Sequence, residues 1–461
     1  MPDPAMGDIV GGDNAPSAPA RSDGTFKLDP GGPVRLNNDT WTLSLIQQAA
    51  TLPQAVSELK DALGRLDGTP TGQRTTRYHE LLASLGAPLV MSLGYPSEEV
   101  RELYLQIAAS QDSAYKVTAA RGLWVNAYTR GALLEALQIA QRLVLSARDD
   151  SRAQVEGLMA LAWSYAGLGL WEAAKLTSDR LIAICPTVLD LAPSEPLTDH
   201  PLILGLDCRA LAFVQLGFPE RAVADAQRGV AVGEEIEHPF SIAVALLHLG
   251  ACHLWLHNRA AGRPPMEQAL ALCTEHGFDY WGIVARLSLH AMVEGDRAAQ
   301  ETAVAGMETE LAALQATGCK TGVAMFHCLL AERYQALGRL EEARATIDRG
   351  LAIIAETSES SYRSELHRVK GELLMAAGDI AGAVGEINTA IRWCQDRGLK
   401  LFELRAALSM ADLLDQRGQA ANLRPQIESL HGWFTEGHHT PDLRRATSWI
   451  IAVPLRGQSV A

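Results

Sequence analysis

The chain of 461 residues carries 40 Lys plus Arg against 54 Asp plus Glu, a net charge of −14, and is 48% hydrophobic but only 6% aromatic. The length fits about three domains or one long repeat array, and the Ala, Leu, Glu, Arg and Gln that dominate its middle indicate helix throughout. Binding to phosphates or to an anionic membrane needs a positive surface, so direct nucleic-acid binding and membrane binding are both disfavoured.

Residues 1–38 are rich in Pro, Gly, Asp and Ser and show no apolar periodicity, so we expect a flexible amino-terminal tail. An arm that docks onto another surface is the alternative. A helical entry segment is predicted over residues 39–114. Its first helix carries an apolar stripe and ends before Gly68, its second runs from Thr75 to Leu93, and Ser97 is expected to cap its third.

The chain repeats itself between residues 115 and 432, with a turn residue about every 40 residues and a small residue usually five positions later. The turn residue permits a left-handed backbone, and the small residue lets the second helix of a pair pack closely on the first. Arg259–Pro265 is interpreted as a distorted turn. The aligned turn residues are Gly131, Gly169, Gly217, Asn258, Gly295, Gly338, Gly378 and Gly418, and the small residues are Ala136, Ala174, Ala222, Ala343 and Ala383.

Several of these units resemble the tetratricopeptide repeat (TPR), for example the run from Leu168 to Ala174 with Tyr165 before it and Pro186 closing the second helix. The linkers are longer than in the usual repeat. The prediction is an all-α, TPR-like superhelix, an α-α solenoid of about eight helix-turn-helix repeats. Residues 433–461 form its predicted carboxy-terminal capping segment.

The carboxy-terminal part of the chain adds a more specific resemblance. The runs Glu365–Leu374, Leu404–Ala411, Gly432–Gly437 and Thr440–Leu443 resemble the helical-repeat region that follows the ATPase in bacterial STAND-type ATPase and class III adenylate cyclase signalling proteins. The resemblance implies a role in bacterial signal transduction or regulation. It does not carry ATPase or cyclase activity over, because the chain has no Gly-x-x-x-x-Gly-Lys-[Ser/Thr] motif and no cyclase module. A piece of a longer polypeptide is a further alternative.

The amino terminus has acids where a signal peptide needs bases, and no stretch reaches the roughly 18 uncharged apolar residues of a membrane span, so a cytoplasmic protein is expected. The seven cysteines contain no Cys-x-x-Cys pair and are expected to be reduced and mostly buried. The pairs His253 with His257 and His248 with Cys252 lack a third ligand, so no metal site and no cofactor are predicted. No nucleophile motif appears, and catalysis is the minority interpretation.

Function is therefore sought on the first helices of the repeats, which line the concave surface of such a solenoid. In the aligned units, the residues thirteen, ten, six and three positions before each turn residue are expected to face that surface. The sequence predicts a non-enzymatic scaffold or binding protein that takes a protein or peptide partner or senses a ligand, with homo-oligomerisation left open. The alternative is a small-molecule or metal site around Trp163, His248, Cys252 and Trp255, and a third interpretation makes these side chains ordinary core. The predicted groove residues are Arg121, Tyr128, Met159, Trp163, His248, Cys252, Trp255, Met292, Glu332, Glu365, Arg368 and Glu372.

Overall fold

The structure is a computed structural model that describes residues 52–66, 76–110, 113–147, 150–185, 199–415 and 417–453. The predicted tail over residues 1–38 lies outside these ranges. All regular elements within them are helical. The helices are α1 Leu52–Leu66, α2 Thr76–Leu93, α3 Glu98–Ala108, α4 Ser113–Thr129, α5 Leu133–Ser146, α6 Ser151–Gly167, α7 Trp171–Ile184, α8 Pro201–Leu216, α9 Pro219–Glu235, α10 Pro239–Trp255, α11 Arg259–His276, α12 Asp279–Ala291, α13 Arg297–Ala316, α14 Val323–Ala336, α15 Leu340–Thr357, α16 Arg363–Ala376, α17 Ile380–Gln395, α18 Lys400–Asp415, a 3₁₀ turn Ala420–Leu423, α19 Arg424–Trp433 and α20 Pro441–Ala452.

The entry helices follow their sequence patterns closely. The apolar stripe of α1 buries Val56, Leu59 and Leu63 against its neighbours. Helix α2 ends at Leu93 as predicted, because Gly94 takes a left-handed conformation with φ of 83°. Ser97 occupies the position before α3, but its side chain makes no capping hydrogen bond, so that part of the prediction is wrong.

Helices α4 to α19 form eight consecutive helix pairs, here called units one to eight, and the predicted turn residues lie between the two helices of each pair. The small residues after these turns, Ala136, Ala174, Ala222, Ala343 and Ala383, are fully buried at the contact between the paired helices. This confirms the physical reason given for their spacing. The fold is an all-α, TPR-like solenoid, as the sequence predicts.

Unit four, formed by α10 and α11, corrects two predictions. Its left-handed turn residue is His257, with φ of 55°, and not Asn258. Counting five positions from His257 reaches Gly262, a buried small residue whose added Cβ would lie 3.2 Å from the backbone oxygen of Gly250. The stretch from Arg259 to Pro265 is helical rather than a distorted turn, with two prolines inside α11.

The turns of the first three units contact links between units that follow much later in the chain. The carbonyl oxygen of Thr129 accepts from the backbone N–H of Lys320 at 2.9 Å, and that of Gly167 accepts from Ser360 at 2.8 Å. The side-chain amide of Gln215 donates to the carbonyl of Ser361 at 3.1 Å. First helices of early and late units also meet, since Trp255 of α10 packs near Phe402 of α18 with ring centroids 6.5 Å apart.

The predicted carboxy-terminal capping segment makes the last of these contacts. Glu436 accepts hydrogen bonds from the backbone N–H groups of Glu220 and Arg221 at 3.0 and 3.1 Å, next to the turn of unit three. The indole of Trp433 packs on the ring of Phe218, with centroids 5.4 Å apart.

None of the described helices is both long and apolar enough to span a membrane. Six of the seven cysteines are buried and all seven are free thiols.

Candidate ligand cavity

A cavity of about 190 Å³ lies between the entry helices and the first helices of the early units. Most of the cavity wall is apolar. One lining residue, Arg152, is exposed, which indicates that the cavity opens to the surface there. Helix α4 contributes the most lining residues, and the others come mainly from α2, α3, α6, α8, α10 and the beginning of α12. Its aromatic and charged lining residues are Tyr95, Tyr104, Trp124, Tyr128, Trp163, Tyr280, Trp281, Arg121, Arg152, Glu156, Asp199 and His248.

The aromatic side chains of the wall are fixed by one another and by hydrogen bonds. The indole Nε1 of Trp163 donates to the carbonyl oxygen of Leu204 at 3.1 Å, and its ring lies 5.1 Å from the imidazole of His248. The rings of Tyr95 and Tyr280 meet edge to face with centroids 5.4 Å apart. Interlocked rings of this kind make a rigid wall that an apolar ligand can enter without ordering it first.

Arg121, Glu156 and Asp199 place charge in this largely apolar wall. Arg121 pairs with Glu156, with Nη1 and Oε2 2.5 Å apart, and its Nη2 donates to the backbone carbonyl of Asp199 at 3.3 Å. The Oδ1 of Asp199 is buried and accepts no hydrogen bond from the residues that the structure describes. Burial raises the pKa of Asp199 to about 7, because a carboxylate loses solvation there.

His248 reaches the cavity from α10. Its Nδ1 lies 2.9 Å from the carbonyl oxygen of Val244 and 3.0 Å from Oδ2 of Asp207. Burial acts to lower the pKa of His248, but the carboxylate of Asp207 outweighs it and the pKa is raised. His248 and Asp207 therefore form a charge pair behind the wall.

Four of the predicted groove residues line this cavity, namely Arg121, Tyr128, Trp163 and His248. Their neighbours in the same pattern, Thr118, Val125, Glu156 and Leu204, line it as well. The regular spacing of first-helix positions thus locates much of the wall.

The apolar groove residues Met159, Cys252, Trp255 and Met292 are instead buried in the core, at 5% exposure or less. Trp255 packs against Tyr362 with ring centroids 5.5 Å apart, and Tyr362 belongs to the link before unit seven. For Trp255 the physical reason is this contact between an early and a late unit, which covers the indole. This corrects their place on an accessible surface, and it separates Cys252 and Trp255 from the cavity that contains Trp163 and His248.

The predicted groove residues Glu332, Glu365, Arg368 and Glu372 form an ion-pair network. Arg368 pairs with Glu332 at 2.6 Å, with Glu372 at 2.8 Å and with Glu365 at 2.9 Å. Burial acts to raise the pKa of Glu365, but Arg368 and Arg405 lower it. All three carboxylates are engaged with one buried guanidinium, and Glu365 is itself buried.

His257, Glu332 and Glu365 bring one ligand atom each within 4.8 Å of one another, which is a spacing that a metal ion could use. Both carboxylates already pair with Arg368, and His257 lies 3.4 Å from Asp442. A metal ion would have to displace that guanidinium, so the donor set fits an internal ion-pair network better than a metal site.

Sequence reasoning missed Tyr95, Asp199 and Trp281. Tyr95 lies in the turn between α2 and α3, and Asp199 lies just before α8, so neither belongs to the repeating first-helix pattern. Trp281 stands one position before Gly282, the residue that the aligned spacing placed on the surface. The turn after α12 is longer than those of units one to four, six and seven, so an alignment that allowed the extra length would have moved the counted position from Gly282 towards Trp281 and Tyr280.

No protein-family model and no curated protein matches the chain. Solved structures do. A Rap protein complexed with competence and sporulation factor is 13% identical, with 90% of this chain and 98% of that chain covered and a TM-score of 0.44. A hetero-tetramer of the APC/C is 14% identical, with coverage of 76% and 59% and a TM-score of 0.47. A STAND protein with a tetratricopeptide repeat sensor from Pyrococcus horikoshii is 13% identical, with coverage of 76% and 54% and a TM-score of 0.36. Shared site residues are not expected at such identities, so function is inferred from the chemistry of the cavity.

Proposed function

We propose that this protein is a non-enzymatic binding protein in which the TPR-like array holds a ligand-sensing cavity. The observation that carries the proposal is the preformed cavity of about 190 Å³ walled by Trp163, Trp281, Tyr95 and His248. Concave sites with mostly apolar walls and a few placed polar groups are typical of small-ligand binding. The ligand is a compact molecule, or a single side chain presented by a larger one.

The polar groups of the wall support binding rather than catalysis. Glu156 is committed to Arg121, and His248 is held by Val244 and Asp207. Among the described lining residues there is no cysteine or serine that could act as a nucleophile. With these charges paired, the wall can orient a ligand, but it supplies few free groups for proton or group transfer.

The test is a thermal-shift screen of the purified chain against a library of compact molecules, with hits confirmed by native mass spectrometry. A true ligand raises the melting temperature in proportion to its concentration over Kd. The variant Trp163→Ala should lose the shift. Trp393→Ala is the matched control, because Trp393 of α17 is also a half-buried tryptophan. Its ring packs against Arg397, with the guanidinium carbon 3.4 Å from the ring centroid. A shift that survives in both variants, or no shift with any compound, contradicts the proposal.

A protein partner is a second candidate, and one feature of α5 favours it. Leu134 and Leu145 are 58% and 79% exposed and lie about three helical turns apart on the same face. A partner that covers this face would protect both leucines. Pull-down with Leu145→Glu beside the unaltered chain tests this, and equal recovery of the same partner would remove α5 from the interface.

A further inference from the structure

The three acids at the cavity are not equally paired. Arg121 neutralises Glu156, and His248 neutralises Asp207. Arg121 and His248 also attract the carboxylate of Asp199, but their direct ion pairs are with the other two acids. Asp199 itself makes no ion pair with the described residues, and its buried Oδ1 accepts no hydrogen bond from them.

Aromatic rings line the same cavity as this carboxyl group. Tyr95, Trp163 and Trp281 line the same cavity as Asp199. The faces of such rings attract organic cations through their quadrupoles, most strongly when water is excluded. A carboxylate together with several aromatic rings is a combination that recognises a positively charged nitrogen.

We propose that the ligand of the cavity is a compact organic cation whose ammonium group pairs with Asp199 while its apolar body packs against Trp163 and Trp281. This inference rests on the proposed function and names the chemical class that the cavity selects. It explains why an acid without an ion pair of its own stands in a largely apolar wall at a cost in solvation, since the incoming cation supplies a direct partner.

The ionisation of Asp199 gives the proposal a second signature. Its pKa of about 7 means that the empty cavity holds the group partly protonated at neutral pH. An ammonium ion favours the carboxylate, so binding releases a proton and strengthens as the pH rises from about 6 to 8. The groups that face Asp199 and contribute to its titration are Arg121 of α4, Glu156 of α6, Asp207 of α8, His248 of α10 and Tyr95 of the turn before α3.

The experiment compares three ligands of one shape in calorimetry at pH 7: 2-phenylethylamine as the cation, 2-phenylethanol as the neutral form and 3-phenylpropionate as the anion. We expect the amine to bind at least about tenfold more tightly than the alcohol, the difference that one favourable charge contact gives. Buffers of different ionisation enthalpy should reveal proton release with the amine alone. In Asp199→Asn the amine should lose about tenfold in affinity and the alcohol should not change, with circular dichroism confirming that the variant folds.

The possible failures are distinguishable. If the alcohol or the acid binds the unaltered protein as tightly as the amine, the preference for a cation is wrong while the ligand cavity stands. The same holds if none of the three binds but the screen yields a ligand without positive charge. If no compound of either experiment binds, both the inference and the proposed function are wrong. The comparison on the unaltered chain needs no variant, so a folding defect in Asp199→Asn does not affect it.

Discussion

Trp433 packs directly on Gly217, although one belongs to the last helix pair and the other to the turn of unit three. A Cβ added to Gly217 would lie 2.8 Å from Cζ3 of the Trp433 indole, closer than real Cβ contacts allow. Gly217 also has φ of 95°, in the left-handed region. The backbone turn and the close approach of the carboxy-terminal end both require glycine at this position.

Gly217→Ala is expected to destabilise the protein for both reasons. The matched control is Gly378→Ala, because Gly378 has φ of 84° but nothing within 4 Å of its added Cβ. Both variants bear the left-handed backbone cost of about 1 kcal/mol. Gly217→Ala should lose about 1–3 kcal/mol more, the usual cost of overpacking. Chemical denaturation measures the free energy of unfolding of both variants. Equal losses would show that the contact between Trp433 and the turn of unit three adds no stability.

Arg405 belongs to a group of buried ion pairs, and its substitution tests what they contribute to stability. It donates to Asp442 through Nε at 2.9 Å and through Nη2 at 2.7 Å, and it also reaches the carbonyl oxygen of Trp255. Arg405→Met leaves Asp442 buried with only His257 beside it, so we expect a loss of about 3–5 kcal/mol in the free energy of unfolding. Arg445→Met is the control, because the Arg445 pair with Asp412 is exposed and should be worth less than about 1 kcal/mol. Comparable effects of the two variants would contradict the network.

Glu359 gives the stability a pH dependence of defined sign. It accepts from the backbone N–H of Gly322 at 3.1 Å and from the hydroxyl of Ser361 at 2.8 Å, and burial raises its pKa to about 7. The folded chain therefore holds this proton up to higher pH than the unfolded chain, whose glutamates titrate near 4.3. Its contribution is complete below about pH 4 and is lost as the pH rises to about 7.

Comparison of Glu359→Gln with the unaltered chain isolates this contribution. The difference in the free energy of unfolding should change by up to about 3 kcal/mol between pH 4 and 8, in the direction that favours the variant at high pH. Glu356→Gln is the control, since Glu356 is 60% exposed and pairs only at the surface with Lys320. A flat difference curve for Glu359→Gln would show that the group ionises normally in the folded chain.

Shortening the chain from its carboxy-terminal end should lower stability in steps. Truncation after Gly437 removes α20 and Asp442 but keeps Trp433, so an intermediate fall in melting temperature is expected. Truncation after Leu401 removes nearly all of unit eight and exposes the buried faces of Ile387 and Ile391 on α17. We expect aggregation or a large fall in melting temperature there. An unchanged melting temperature in the shorter chain would contradict the packing.

The sequence predicts the local architecture of this protein well and its long-range contacts poorly. Gly131, Gly169 and Ala174 identify the helix pairs, because a tight turn and a close helix contact each demand a particular residue type within one unit. The same periodicity locates Trp163 and His248 on the concave side.

Contacts between distant units leave no comparable pattern in the chain. Nothing near Thr129 or Gly167 indicates that their carbonyl oxygens accept from Lys320 and Ser360. Trp255 is buried by such a contact, with Tyr362 of the link before unit seven, so the sequence could not separate core from cavity. Trp433 is prominent through the family resemblance, and its packing on Gly217 and Phe218 gives that motif a structural role.

A crystal structure of the protein grown with 2-phenylethylamine tests the central claim most directly. We predict density for the ligand inside the cavity, with its nitrogen within hydrogen-bond distance of a carboxylate oxygen of Asp199 and its ring against Trp163. A cavity left without the amine at a concentration that saturates binding in solution, or an amine bound elsewhere on the chain, would contradict the account.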